Sequence, residues 1–170
     1  AGAQNVSIGT TGAAALTVPT AAEVLSGDAV TLSTATGTLT ISDTVFDVGA
    51  GSLTLQTDGT LTTSGGASSI RGAGGTVTIQ AASAATTLGV AGAAGTLQVT
   101  ATNIAALQNG FSQINIGRTD GTGQATVNAV FNGLQFSVGA GFHDPSAGDN
   151  DDPIHVSHGG KPVGDDERCA

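Results

Sequence analysis

GTVTIQAAS (75–83), GTLQVTATN (95–103), SQINIGRTDGTG (112–123) and ATVNAVFNG (125–133) carry the reading that decides the fold. Gly75 and Gly95 each open a short alternating run, Val77/Ile79 and Leu97/Val99, with Thr or Gln between the apolar residues. Apolar residues at a period of two make a strand with one buried face. Ile114/Ile116 repeat the pattern after a similar gap, so the runs recur at about twenty residues. Such a recurrence predicts a repeat array in which each circuit of chain buries its apolar face against the next. The predicted fold is all-β, a right-handed parallel β-helix of roughly seven short rungs, its hand set by the chirality of parallel crossovers.

Working outward, VSI and LTV lie on either side of TTGAAA, and TAAEVL (20–25) predicts one helical turn that SGD would stop. Residues 29–49 hold three alternating runs between turns. GSLTLQTDGTLTTSGG (51–66) follows, with Asp58-Gly59 as a tight-turn signal, and SSIRGAGG (68–75) reads as a corner. Downstream, LQFSV (134–138) is one more run. The expected inward residues are Val6/Ile8, Leu39/Ile41, Leu53/Leu55, Val77/Ile79, Leu97/Val99, Ile114/Ile116, Val127 and Phe136/Val138. At a spacing of about 4.8 Å those rungs make a rod of about 34 Å. Many glycines fall between the runs, where corners need φ > 0. An antiparallel hairpin stack or sandwich is the competing architecture, although runs of three to five residues fill sandwich sheets poorly.

Charged residues are 10% of the 170 positions and aromatics 3%, with no Trp, Tyr or Met. A compact globule recruits more large apolar side chains, whereas a solenoid fills a narrow interior with Val, Ile, Leu and Ala. A net charge of −9 excludes nucleic acid as a partner, since nothing here neutralises a row of phosphates. It also opposes attraction to anionic lipid. No apolar run approaches the roughly 20 residues a membrane helix needs, so no membrane insertion is expected. Cys169 is the single cysteine, which excludes an internal disulfide. The chain begins at Ala1 without a signal sequence and reads as a mature or excised segment. Its Thr-rich, Lys-poor, acidic composition points to an extracellular or cell-surface location. From His143 the character changes: the remaining residues hold all three His and seven of the thirteen acids. The expected division is therefore a β-solenoid over 1–142 and an acidic, Pro- and His-containing tail or cap over 143–170.

Residues 107–131, LQNGFSQINIGRTDGTGQATVNAVF, resemble a repeat of very large secreted bacterial proteins of the filamentous haemagglutinin-like kind. The matching residues are Gly110, Phe111, Ile114, Ile116, Gly117, Arg118, Asp120, Gly121, Gly123, Val127, Asn128 and Val130. The resemblance implies a right-handed β-helix on a surface or released protein, adhesive or structural, with no catalytic residues to carry over. This chain departs from such proteins in being far shorter and in its tail after His143.

Arg118 and Asp120 lie in the Gly-rich turn GRTDGTG. They are candidates for glycan contact, against a plainer reading in which Asp120 caps a turn and Arg118 pairs with it. The turn lacks the strand–helix setting of a phosphate-binding loop. Thr38, Thr40, Thr54, Thr60, Thr62, Thr76 and Thr78 lie outward or at run edges. Stacked Thr on a β-solenoid is one route to ice binding, but Thr is also the favoured polar residue on an exposed strand. Read as one column, the outward positions are Ser7, Thr40, Thr54, Thr78, Gln98 and Asn115, and the Thr register decays along the chain. In the tail, His155 and His158 with Asp149, Asp151 and Asp152 can offer imidazole and carboxylate to calcium or a transition metal. Their spacing follows no calcium-loop pattern, and a solvated acidic tail is the plainer reading. No cofactor is expected on the solenoid.

The sequence thus predicts a non-catalytic structural or adhesive solenoid, self-associating end to end into filaments, with a surface glycan or receptor as a further partner. A carbohydrate-active enzyme resembling a polysaccharide lyase is the alternative, and ice binding the third reading.

Overall fold

The computed structural model describes residues 5–20, 29–128 and 136–138. Among them, in chain order, are β1 (Val6–Thr10), β2 (Leu16–Val18), β3 (Val30–Thr34), β4 (Leu39–Ile41), β5 (Phe46–Asp47), β6 (Leu53–Gln56) and β7 (Leu61–Thr63). Next come β8 (Ile70–Arg71), β9 (Thr76–Gln80), β10 (Leu88–Val90), β11 (Leu97–Val99), the helix α1 (Ala101–Ala105), β12 (Gln113–Ile116), β13 (Ala125–Val127) and β14 (Phe136–Val138). Every strand pair is parallel. The fold is therefore all-β and parallel, and the antiparallel alternative drops out.

Four sheets share the strands. The first runs β1-β3-β6-β9-β12-β14, the second β2-β4-β7, the third β5-β8, and the fourth β11-β10-β13. From β3 and again from β6 the chain visits the first three sheets in turn and comes back to the first, and the first-sheet partners follow one another: Val6 pairs with Val30, Val30 with Leu53 and Leu53 with Val77. Those returns take 24, 23 and 24 residues, longer than the twenty expected; the second and third circuits each hold three strands, one per sheet, and three corners. The three alternating runs of 29–49 become β3, β4 and β5, one per sheet. The 68–75 segment is more than a corner, since Ile70–Arg71 forms β8 against β5.

The apolar pairs stack as the period of two requires. Val30, Leu32, Leu53, Leu55, Val77, Ile79 and Ile116 are buried from the first sheet, Leu39, Ile41 and Leu61 from the second, and Phe46 and Ile70 from the third. All belong to one core cluster. Burying each such side chain contributes about 1.5–3 kcal/mol, and Phe46 supplies the largest one. The expected single column of inward residues needs correcting. Leu39/Ile41 belong to the second sheet and Leu97/Val99 with Val127 to the fourth, while Val30/Leu32 join the first. Among the described residues the first sheet has six strands, about 29 Å on the same spacing that gave about 34 Å for seven rungs.

Corners are made by backbone stacking. A Cβ on Gly59 would overlap the carbonyls of Thr36 and Gly37, and one on Gly37 would overlap Ala14 of the circuit before. Below this corner Thr57 Oγ1 donates to the Gly37 carbonyl at 2.9 Å and accepts from the Gly59 amide at 2.8 Å. Thr34 Oγ1 stands 2.8 Å from Thr57 Oγ1 as well. These buried hydroxyls satisfy corner groups that the ladders leave over.

After β9 the pattern lengthens. Val77 pairs with Ile114 and Ile70 bridges to Leu107, both across 37 residues. Ala91 and Gly92 turn the chain at positive φ (56° and 88°), and β11 lies parallel on β10 after a short return. Parallel neighbours normally need a crossover of a dozen residues or more; here residues 91–96 make the return. The alternating run Leu97/Val99 forms β11 as expected, and the chain after it becomes α1, which the alternation did not signal. Thr100 caps it: Thr100 Oγ1 accepts from Asn103 N at 3.2 Å, while the Thr100 amide donates to Asn103 Oδ1 at 2.8 Å. Asn103 is buried, and its Nδ2 donates to the Leu61 carbonyl at 3.3 Å and to Thr63 Oγ1 at 3.1 Å. That carbonyl is on the edge of β7 facing away from β4, so a side chain takes the place of the next strand.

The helical turn expected over 20–25 falls almost wholly outside the described residues, as does the tail from 143.

Candidate functional site

Outward positions follow from the same alternation. On the first sheet Ser7, Thr31, Thr54, Thr78 and Asn115 are paired in one continuous column. Beside it run Gly9, Ser33, Gln56 and Gln80, and Gly117 follows Ile116 where that column would continue. On the second sheet Thr17, Thr40 and Thr62 form an unbroken Thr column. The decaying Thr register read from sequence is corrected here. Thr40 and Gln98 belong to the second and fourth sheets; the first-sheet column is Thr from Thr31 to Thr78 and gives way to Ser7 and Asn115 at its ends, while the second-sheet column is Thr throughout.

Gly117 matters most locally. At φ 108° it turns the chain, its amide donates to the Ile79 carbonyl at 2.8 Å, and it places no side chain next to Gln80. The result is a trough of about 470 Å³ on the outer face, lined by Thr54, Thr78, Gln80, Gln113, Asn115, Gly117 and Thr119. Gln113 pairs with Thr76 at the other end of the strands.

Arg118 stands at the rim. Its Nε and Nη2 donate to the two Asp120 carboxylate oxygens at 2.8 Å each, and Nη1 donates to the carbonyls of Ala82 (2.8 Å) and Ala81 (3.3 Å). Hydrogen bonds from Arg118 hold the Asp120 carboxyl below the usual carboxylate range, and Asp120 raises the guanidinium. The pair therefore straps the 81–82 corner. One circuit earlier, Asp58 accepts from the Ser83 amide at 2.9 Å and from the Ser83 hydroxyl. Partial burial pushes the Asp58 carboxyl up, but its hydrogen bonds from Ser83, with Thr86 and Ala82, outweigh that, and the net shift is downward.

The motif of 110–123 acquires a physical reading. Phe111 covers Gly72, Gly110 accepts from the Gly74 amide at 2.7 Å, and Gly123 donates to the Ala84 carbonyl at 3.0 Å. Its glycines and its Arg–Asp pair tie one circuit to the one below. Asp149, Asp151, Asp152, His155 and His158 lie outside the described residues. Among the described residues no group of three or more His, Cys, Asp or Glu is placed to hold a metal ion. Sequence reasoning missed Gln80, Gln113 and Asn103; the Thr100-x-x-Asn103 spacing was the one available signal for the last.

Compared with family models, with curated proteins and with solved structures, the chain matches none.

Proposed function

We propose that the sheets are the faces of a right-handed β-helix and that this rod is a non-catalytic structural or adhesive element outside the cell, adding to itself end to end. The observation that carries the reading is the first rung. β1 is laddered to β3 on one edge, and among the described residues nothing pairs with the other. Ile8 is 44% exposed there, beside a hollow of about 300 Å³ lined by Leu16, Val18, Leu32 and Phe46. An unpaired edge over an open apolar core is a template for another strand. Sedimentation of the full chain at micromolar concentration tests this. Growth with concentration, insensitive to salt and abolished by Ile8→Lys, is expected; a monomer at every concentration overturns it.

The non-catalytic part is supported by what the polar groups already do, since Arg118, Asp120 and Asp58 hold corners. Release of unsaturated ends from an acidic polysaccharide, lost on Arg118→Ala, would establish the lyase-like alternative instead.

Ice binding has one observation in its favour. Thr17, Thr40 and Thr62 stack in register, and Thr38 and Thr60 lie two positions before the last two. Inhibition of ice recrystallisation, lost on Thr40→Leu, would support it.

A further inference from the structure

We infer that the trough on the first sheet is a binding site for a neutral oligosaccharide. The side chains of Thr54, Gln80, Gln113 and Thr119 form no hydrogen bond with the described protein, so their hydroxyls and amides face the trough uncommitted. Asn115 Nδ2 reaches Thr78 Oγ1 at 3.5 Å, which leaves Asn115 Oδ1 as an acceptor. Each sugar hydroxyl both donates and accepts, and carboxamides beside hydroxyls supply both partners within one surface. Gln80 and Gln113 stand at diagonal corners, about 13 Å apart along the strands, since four residues of strand separate their paired positions. That span suits several linked rings better than one. No ionised side chain lines the trough, Arg118 beside it is neutralised by its pairing with Asp120, and the chain carries a charge of −9. A polyanion is therefore disfavoured and a neutral glycan favoured. The trough exists because Gly117 interrupts a column that Gln56 and Gln80 would otherwise continue. With no aromatic ring in the lining, affinity in the millimolar range is expected.

The site rests on the parallel register of β6, β9 and β12 and is independent of end-to-end association. Saturation-transfer NMR and calorimetry on the full chain test it, with cellohexaose, maltohexaose, mannohexaose and chitohexaose as neutral probes. A hyaluronan hexasaccharide serves as the charged comparator. Saturable binding of at least one neutral probe is expected, with the charged one weaker. Gln80→Ala with Gln113→Ala should weaken that binding at least about tenfold, while Thr40→Val on the second sheet leaves it unchanged. Binding of no neutral probe, equal binding of hyaluronan, or indifference to the Gln variants overturns the proposal. Both Gln side chains point out of the sheet, so an unchanged melting temperature shows that the variants fold. A monomer that binds sugar would sink only the filament, and a filament that binds none would sink only the trough.

Discussion

Residues 30–77 and residues 77–114 do the same job with different lengths of chain. Two circuits of 23 and 24 residues fill the first stretch, while one circuit of 37 fills the second. The leg from the third sheet back to the first is seven residues in both, Ile70 to Val77 and Leu107 to Ile114. All the surplus therefore lies between Gln80 and Leu107. It adds one extra strand: β11 ladders to β10 and lies near β7, the last strand of its own sheet. The corner 81–87 opens that longer stretch, between β9 and β10. Asp58 fastens it from the circuit before and Arg118 from the circuit after. Regular circuits are held by apolar stacking and glycine corners, and the long circuit needs polar straps and a buried amide as well.

The largest effect expected is in the regular part. Ile79 is 1% exposed between Leu55 and Ile116. Ile79→Asp should bury an unpaired carboxylate and cost several kcal/mol, read as loss of the cooperative urea transition. A fold that kept its transition would break the claim that stacking dominates there. Asn103→Ala should come next. It strips the Leu61 carbonyl, Thr63 and the α1 cap of a partner at once, for about 1–3 kcal/mol. Hydrogen exchange should quicken over 91–107 and stay slow over 30–63; uniform quickening would mean that the long circuit is not separately fastened.

Acid should act on the straps. Asp58 and Asp120 both have folded pKa values below the unfolded ones, so the unfolded chain takes up protons first. Their stabilisation is complete above about pH 4 and is lost as pH falls through the lowered values. The urea midpoint should be level from neutrality down to that point and decline below it, less steeply in Asp58→Asn. The smallest effect concerns Ser69, whose buried hydroxyl finds no hydrogen-bond partner among the described residues. Ser69→Ala should leave the melting temperature unchanged or slightly raised, since it removes an unsatisfied group; a clear loss would show that the hydroxyl is engaged.

Much of the strand content was legible from residues. Val77/Ile79, Leu53/Leu55 and Ile114/Ile116 alternate as half-buried strands must, and all three pairs share the first sheet. The glycine corners were legible too. The site was less so. Arg118 and Asp120 were visible as a motif, but the Ala81 and Ala82 carbonyls that Arg118 also reaches are 37 and 36 residues away.

Alternation is local, because the pleat sends successive side chains to opposite faces whatever lies beside the strand. Which strand lies beside it is not local. Leu39-Thr40-Ile41 and Leu53-Thr54-Leu55 look alike in sequence, yet they occupy different sheets because corner lengths decide how far the chain travels before it pairs. Val77 and Leu97 are twenty residues apart and never neighbours, whereas Val77 and Ile114 are 37 apart and adjacent. The sequence by itself determined that this protein is built of short strands with one apolar face. Only the tertiary structure, by setting which edges meet, decided the register that lines up Thr17, Thr40 and Thr62 and opens the trough beside Gly117.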